Sequence, residues 1–134
     1  MIASPPPAPS HGNRQSEISF HLKKLTDGGR GISECPLSTG EGVKAIDVAW
    51  CSDEPWSRLG DQTSFVEAPE ICIEVESLSN TRAELRDKTV LYFEEGTREV
   101  WICNREGMMR FYTAAEAEPS EHSALLPDFP VVIQ

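Results

Sequence analysis

The sequence predicts an α/β domain built on a mixed sheet flanked by helices, and three observations carry that expectation. An apolar strand-like run, Ile71-Cys72-Ile73-Glu74-Val75, leads through a helically periodic stretch into a second apolar run, Glu99-Val100-Trp101-Ile102-Cys103. The stretch between them is long enough to return the chain across a sheet, so the two strands are expected to be parallel. Strand pairs with glycine-containing turns stand on either side of this unit and add antiparallel neighbours. A chain of 134 residues suffices for one hydrophobic core, hence one domain.

Residues 1–13, MIASPPPAPSHGN, are rich in proline and small residues and read as an extended or disordered lead-in. The single domain is then expected over 14–134. From Arg14 to Asp27, Ile18, His21, Leu22 and Leu25 recur at helical spacing, with Ser16 as candidate N-cap and Gly28-Gly29 as the stop. Gly31–Leu37 and Val43–Cys51 read as strands of a hairpin around Ser38-Thr39-Gly40-Glu41-Gly42. Alternation in the second strand puts Val43, Ala45, Asp47, Ala49 and Cys51 on one face and Ile46, Val48 and Trp50 on the other. Ser52–Glu67, with Pro55 and Gly60, reads as an irregular connection. The central strand is expected from about Glu70 to Ser77, and the helix from about Thr81 to Glu95. Ser79 or Asn80 would cap that helix, and Gly96 would end it. On a helical wheel Leu85, Lys88, Thr89 and Tyr92 share one side, with Lys88 at its margin. Glu99–Cys103 is a strand, Gly107 turns the chain, and Met109–Thr113 pairs back antiparallel.

Composition narrows the function. No apolar run approaches the roughly 20 residues that span a bilayer, and no basic-then-apolar leader is present, so a cytoplasmic protein without a membrane partner is expected. Cys35, Cys51, Cys72 and Cys103 are widely spaced without a C-x-x-C pair, which suits buried free thiols rather than zinc or disulfides. His11, His21 and His122 lack metal-ligand spacing. The net charge of −10 disfavours nucleic-acid binding, which draws most of its affinity from phosphate neutralisation.

Asp47, Glu74 and Lys88 are the residues with chemical potential. An acid inside an apolar strand is uncommon in a purely structural role. Two carboxylates from neighbouring strands aimed at one point can hold Mg²⁺ and leave positions for water and phosphate. A nearby lysine can position that water or stabilise charge in the transition state. Competing assignments stand beside these. Lys88 follows Glu84 by four residues and could form a surface ion pair, Asp47 could pair with Lys44, and Glu76 could be the solvated end of its strand.

The run Glu74-Val75-Glu76-Ser77-Leu78-Ser79, then Lys88, Leu91-Tyr92, Gly96 and Glu99-Val100-Trp101-Ile102, resembles the Uma-type restriction endonuclease family of the PD-(D/E)XK nuclease superfamily. The proline-rich lead-in, the first helix and the late Leu126-Pro127-Asp128-Phe129 extend that resemblance over nearly the whole chain. The resemblance implies a restriction endonuclease-like fold, a central mixed β-sheet flanked by helices. It also implies Mg²⁺-dependent phosphodiester hydrolysis, with Mn²⁺ as a substitute ion. By position, Asp47 and Glu74 correspond to the metal-binding carboxylates, the Val75 carbonyl to a further ligand, and Lys88 to a catalytic lysine carried on the helix. The superfamily's usual lysine position on the strand holds Glu76, Ile46 replaces the proline of the PD motif, and Leu78 replaces a proline of the family's S-P-S. The family has a strand-forming segment before the lead-in that this chain does not carry, so the sheet is expected without that N-terminal strand. An exposed edge would then favour a homodimer. The alternative function is a catalytically silent homologue serving as a dimeric binding or scaffold protein.

Overall fold

A computed structural model describes residues 8–134, so the first seven residues of the lead-in lie outside the described part. The elements are α1 (Pro9–Leu25), β1 (Arg30–Thr39), β2 (Gly42–Cys51), α2 (Asp53–Leu59), β3 (Ile71–Val75), α3 (Arg82–Glu94), β4 (Glu99–Cys103) and β5 (Met109–Tyr112). They form one five-stranded sheet in the order β1-β2-β3-β4-β5. The β3–β4 pair, joined by the α3 crossover, is parallel, and the other three pairs are antiparallel. The mixed α/β architecture follows the expectation.

Three details differ from the sequence reading. Helix α1 starts at Pro9, inside the stretch expected to be extended, with Ala8 rather than Ser16 at the N-cap. Proline is suited to that first helical position, because its missing N–H would be unpaired there anyway. Asp53–Leu59, expected to be irregular, forms α2, with Pro55 in its first turn, where proline does not break a helix. Helix α3 is capped by Thr81, whose hydroxyl accepts the Glu84 N–H at 3.0 Å, instead of by Ser79 or Asn80. Asn80 is engaged elsewhere, its Oδ1 accepting the Ser77 N–H at 2.8 Å.

The sheet separates two apolar layers. Ile71, Ile73 and Val75 face one side with Trp101 and Phe111, covered by Ile18 and Leu22 of α1 and by Phe129. Cys72 faces the other side with Val100, Ala49 and Cys51, covered by Tyr92 of α3 and Leu59 of α2. The strand alternation thus assigns Glu74, between Ile73 and Val75, to the α3 side. Ile46 departs from strict alternation, packing with Cys35 and Leu37 in the α3-side layer rather than with Val48. The departure coincides with a break in the β1–β2 ladder, where Glu34 adopts φ 51° and no Glu34–Asp47 pair forms.

All four cysteines are buried and free. A buried carboxylate, Glu99, ties down the C-terminal segment by accepting from Trp101 Nε1 (2.8 Å), Ser123 Oγ (2.7 Å) and Leu125 N (2.9 Å). Gly107 is required where the tail docks: its φ is 86°, and a Cβ there would meet the Ile133 carbonyl.

Candidate active site

The β2–β3 ladder runs from Trp50↔Ile71 to Val48↔Ile73 and stops. At the next step the side chains take over from the backbone. The Asp47 N–H donates to Glu74 Oε2 at 3.1 Å, and the Val75 N–H donates to Asp47 Oδ2 at 2.8 Å. Two strands that diverge leave backbone donors to be satisfied, and two carboxylates satisfy them at the opening between the strands. Asp47 and Glu74, assigned from sequence to one site, therefore meet, with the Val75 carbonyl beside them.

Lys88, one α3 turn before Tyr92, reaches Glu74 Oε1 at 2.9 Å, and the Tyr92 hydroxyl donates to Glu74 Oε2 at 3.1 Å. The lysine pairs with Glu74 across the crossover rather than with Glu84 along its own helix. Asp47 likewise takes the Val75 N–H, and among the described residues Lys44 forms no salt bridge with it. Glu74 is 1 % exposed, whereas the lysine side chain keeps 29 % of its surface open, so Lys88 joins a buried acid to solvent. Burial raises the Glu74 carboxyl to about 7, the neighbouring Asp47 carboxylate adds to the rise, and Lys88 opposes it. Burial also raises Asp47, against the Val75 N–H and the His11 ring. For Lys88, burial favours the neutral amine, but the Glu74 carboxylate prevails and holds the ammonium above its ordinary value.

His11 is the residue that sequence reasoning missed. Placed in the supposed lead-in, it sits instead in the first turn of α1, its Nε2 3.1 Å from the Val75 carbonyl and 3.4 Å from Asp47 Oδ2. The available signal was Pro9, which marks a helix start two residues earlier. Gln15, one turn on, spans Glu34 Oε1 (3.0 Å) and the Asp47 carbonyl (3.4 Å). Asp47 and His11 line a cavity of about 1120 Å³ bordered by Arg14, Arg105 and the Ser77–Asn80 turn. Glu76 lines this cavity too and also borders a second groove of about 620 Å³ along α3, where Arg82, Arg86 and Arg110 lie. Among the described residues no group of three or more histidine, cysteine, aspartate or glutamate side chains is arranged to hold a metal. The hard donors that do converge are two carboxylates and one main-chain carbonyl.

A mixed five-stranded sheet with a parallel crossover unit and three helices is the restriction endonuclease-like α/β fold. The chain belongs to the Uma2 family, described as "Putative restriction endonuclease", whose model matches residues 1–132. Among solved structures it is similar to a "putative nuclease belonging to DUF820" from Anabaena variabilis ATCC 29413, with a TM-score of 0.72 and 20 % identity. That match covers 89 % of this chain and 70 % of the other, and shows the shared fold. No curated protein matches the chain.

Proposed function

We propose that this protein is a divalent-metal-dependent nuclease that hydrolyses phosphodiester bonds in nucleic acid. The observation that carries the reading is the convergence of Asp47, Glu74 and Lys88 from β2, β3 and α3 at the parting of two strands. The donor set fits the implied ion. Asp47, Glu74 and the Val75 carbonyl are hard oxygens of the kind that suit Mg²⁺ or Mn²⁺, and no sulfur competes. Such an ion, when bound, supplies a water of lowered pKa and positive charge opposite the phosphate.

The chain's own groups do the rest. The Tyr92 hydroxyl and Asp47 N–H fix the Glu74 carboxylate in one orientation. Lys88 keeps its proton and presents it at the solvent side of Glu74, where it can donate to a phosphate oxygen or to the attacking water. Arg14 and Arg105 stand at the cavity border among Glu34, Glu76 and Glu106, and Arg82, Arg86 and Arg110 stand along the second groove among Glu116 and Glu118, so phosphate contacts would come from single arginines set among acids in a chain of net charge −10. Four buried free thiols suit a reducing compartment, in keeping with a cytoplasmic site of action.

Nicking of supercoiled plasmid tests the reading. Wild-type protein with Mg²⁺ or Mn²⁺ is expected to nick, Glu74→Gln and Asp47→Asn to be inactive, and Lys88→Ala to lose about 100-fold or more. Activity that survives Glu74→Gln contradicts the assignment. A dimeric, catalytically silent scaffold is the second reading. It is favoured by the net charge of −10, which opposes phosphate binding, and it predicts no activity with either ion.

A further inference from the structure

His11 lies outside every residue role assigned so far. It is contributed by α1, 64 residues from Val75 in sequence, yet its ring nitrogen stands against the buried Val75 carbonyl of β3 and against Asp47 of β2, which lines the cavity. The 3.1 Å separation from the Val75 oxygen is a hydrogen-bond distance, and Asp47 Oδ2 stands 3.4 Å away as an ion-pair neighbour. Both distances are also close to the spacing of adjacent ligands around one octahedral cation. Metal–oxygen bonds of about 2.0–2.1 Å at right angles put neighbouring donors about 3 Å apart. His11 Nε2 thus already stands near ligand spacing from both oxygens.

The remainder of the ring permits that exchange. Nδ1 is buried and has no hydrogen-bond partner among the described residues. Among the described residues no acceptor or donor on that side fixes the tautomer, so the proton can reside on Nδ1 while Nε2 offers its lone pair. Packing holds the ring, whose side chain is 11 % exposed.

We propose that His11 is a ligand of the divalent cation, donating Nε2 beside Asp47 Oδ2 and the Val75 carbonyl, and that the site therefore takes Mn²⁺ ahead of Mg²⁺. The inference rests on the metal-dependent reading above and specifies which ion that site selects. An all-oxygen set serves Mg²⁺, but an imidazole nitrogen moves the preference to a first-row transition ion. Mn²⁺ is the ion of that series that still favours carboxylate, carbonyl and water. A ligating histidine usually donates its other N–H to an acceptor that strengthens it, and His11 has none, so its contribution is expected to be about tenfold in affinity.

The test is Mn²⁺ binding followed by electron paramagnetic resonance, with pulsed measurement of nitrogen coupling to the bound ion. Wild-type protein is expected to bind Mn²⁺ with a ¹⁴N coupling, requiring no variant to fold. His11→Gln and His11→Ala, checked for folding by circular dichroism, should lose the coupling and bind Mn²⁺ about tenfold more weakly. Mg²⁺ affinity, from competition against Mn²⁺, should change less than about twofold in the same variants. Mn²⁺ bound without nitrogen coupling, or coupling that persists in His11→Ala, overturns the role of His11 while leaving the carboxylate site standing. Absence of Mn²⁺ binding by the wild-type protein overturns the metal site and this inference together.

Discussion

Glu74 accepts from a lysine, a tyrosine hydroxyl and a main-chain N–H, yet burial beside Asp47 still raises its carboxyl to about 7. The consequence for stability has a definite sign. Between about pH 4.5 and 7 the folded protein retains a proton that the unfolded chain has released, so stability falls as pH rises through this window. Asp47, also raised, acts in the same direction. Urea-denaturation midpoints measured from pH 4.5 to 8 should therefore decline more steeply for wild type than for Glu74→Gln, which has no proton to lose. Equal slopes would contradict the burial argument. Asp47 and Glu74 could be singled out in the sequence because acids inside apolar strands stand out against their surroundings. His11 could not, because a histidine among prolines has no periodic context, and its partners lie 36 and 64 residues away.

At the level of elements, the β3–α3–β4 unit was legible because its alternating strand, its helical face and its glycine stop all point to one crossover. Leu85, Thr89 and Tyr92 are buried on α3, with Lys88 half-buried at the edge, as the wheel placed them. The missed elements share a cause: proline read as a breaker. Pro9 and Pro55 both stand in first turns, where the helix loses nothing to them. The Thr81 cap was missed although Thr81-Arg82-Ala83-Glu84 has the T-x-x-E spacing of a capping box, because Ser79 and Asn80 compete for the same role. Helix α1 offers a direct check. Gly12 is exposed inside it, and an added Cβ would meet nothing within 4 Å. Gly12→Ala should therefore stabilise the protein by about 0.5–1 kcal/mol in thermal or chemical denaturation. A loss of stability would show that the first turns of α1 are not helical.

Over the whole molecule, the sheet edges differ in how they are covered. β5 is shielded by Ser120, which exchanges hydrogen bonds with Phe111, and by Val131, which accepts from Met109. Among the described residues, the backbone pairing on the outer edge of β1 is with Phe65, at Pro36 and Ser38. We propose that two copies pair along the remaining part of β1, Arg30–Cys35, since an unpaired strand edge favours such association. Sedimentation equilibrium at tens of micromolar should then give a dimer mass, and a monomer throughout would rule that pairing out. No helix among the described residues is long and apolar enough to cross a membrane. The −10 charge, legible from composition, is felt in the cavity too, where Arg14 and Arg105 stand with Glu34, Asp47, Glu76 and Glu106, a grouping that only the fold creates. The central claim is that Asp47, Glu74 and the Val75 carbonyl form a cation site. Anomalous diffraction from a crystal soaked in Mn²⁺ tests it most directly: the account predicts a peak between the two carboxylates, and an empty map there at saturating Mn²⁺ would contradict it.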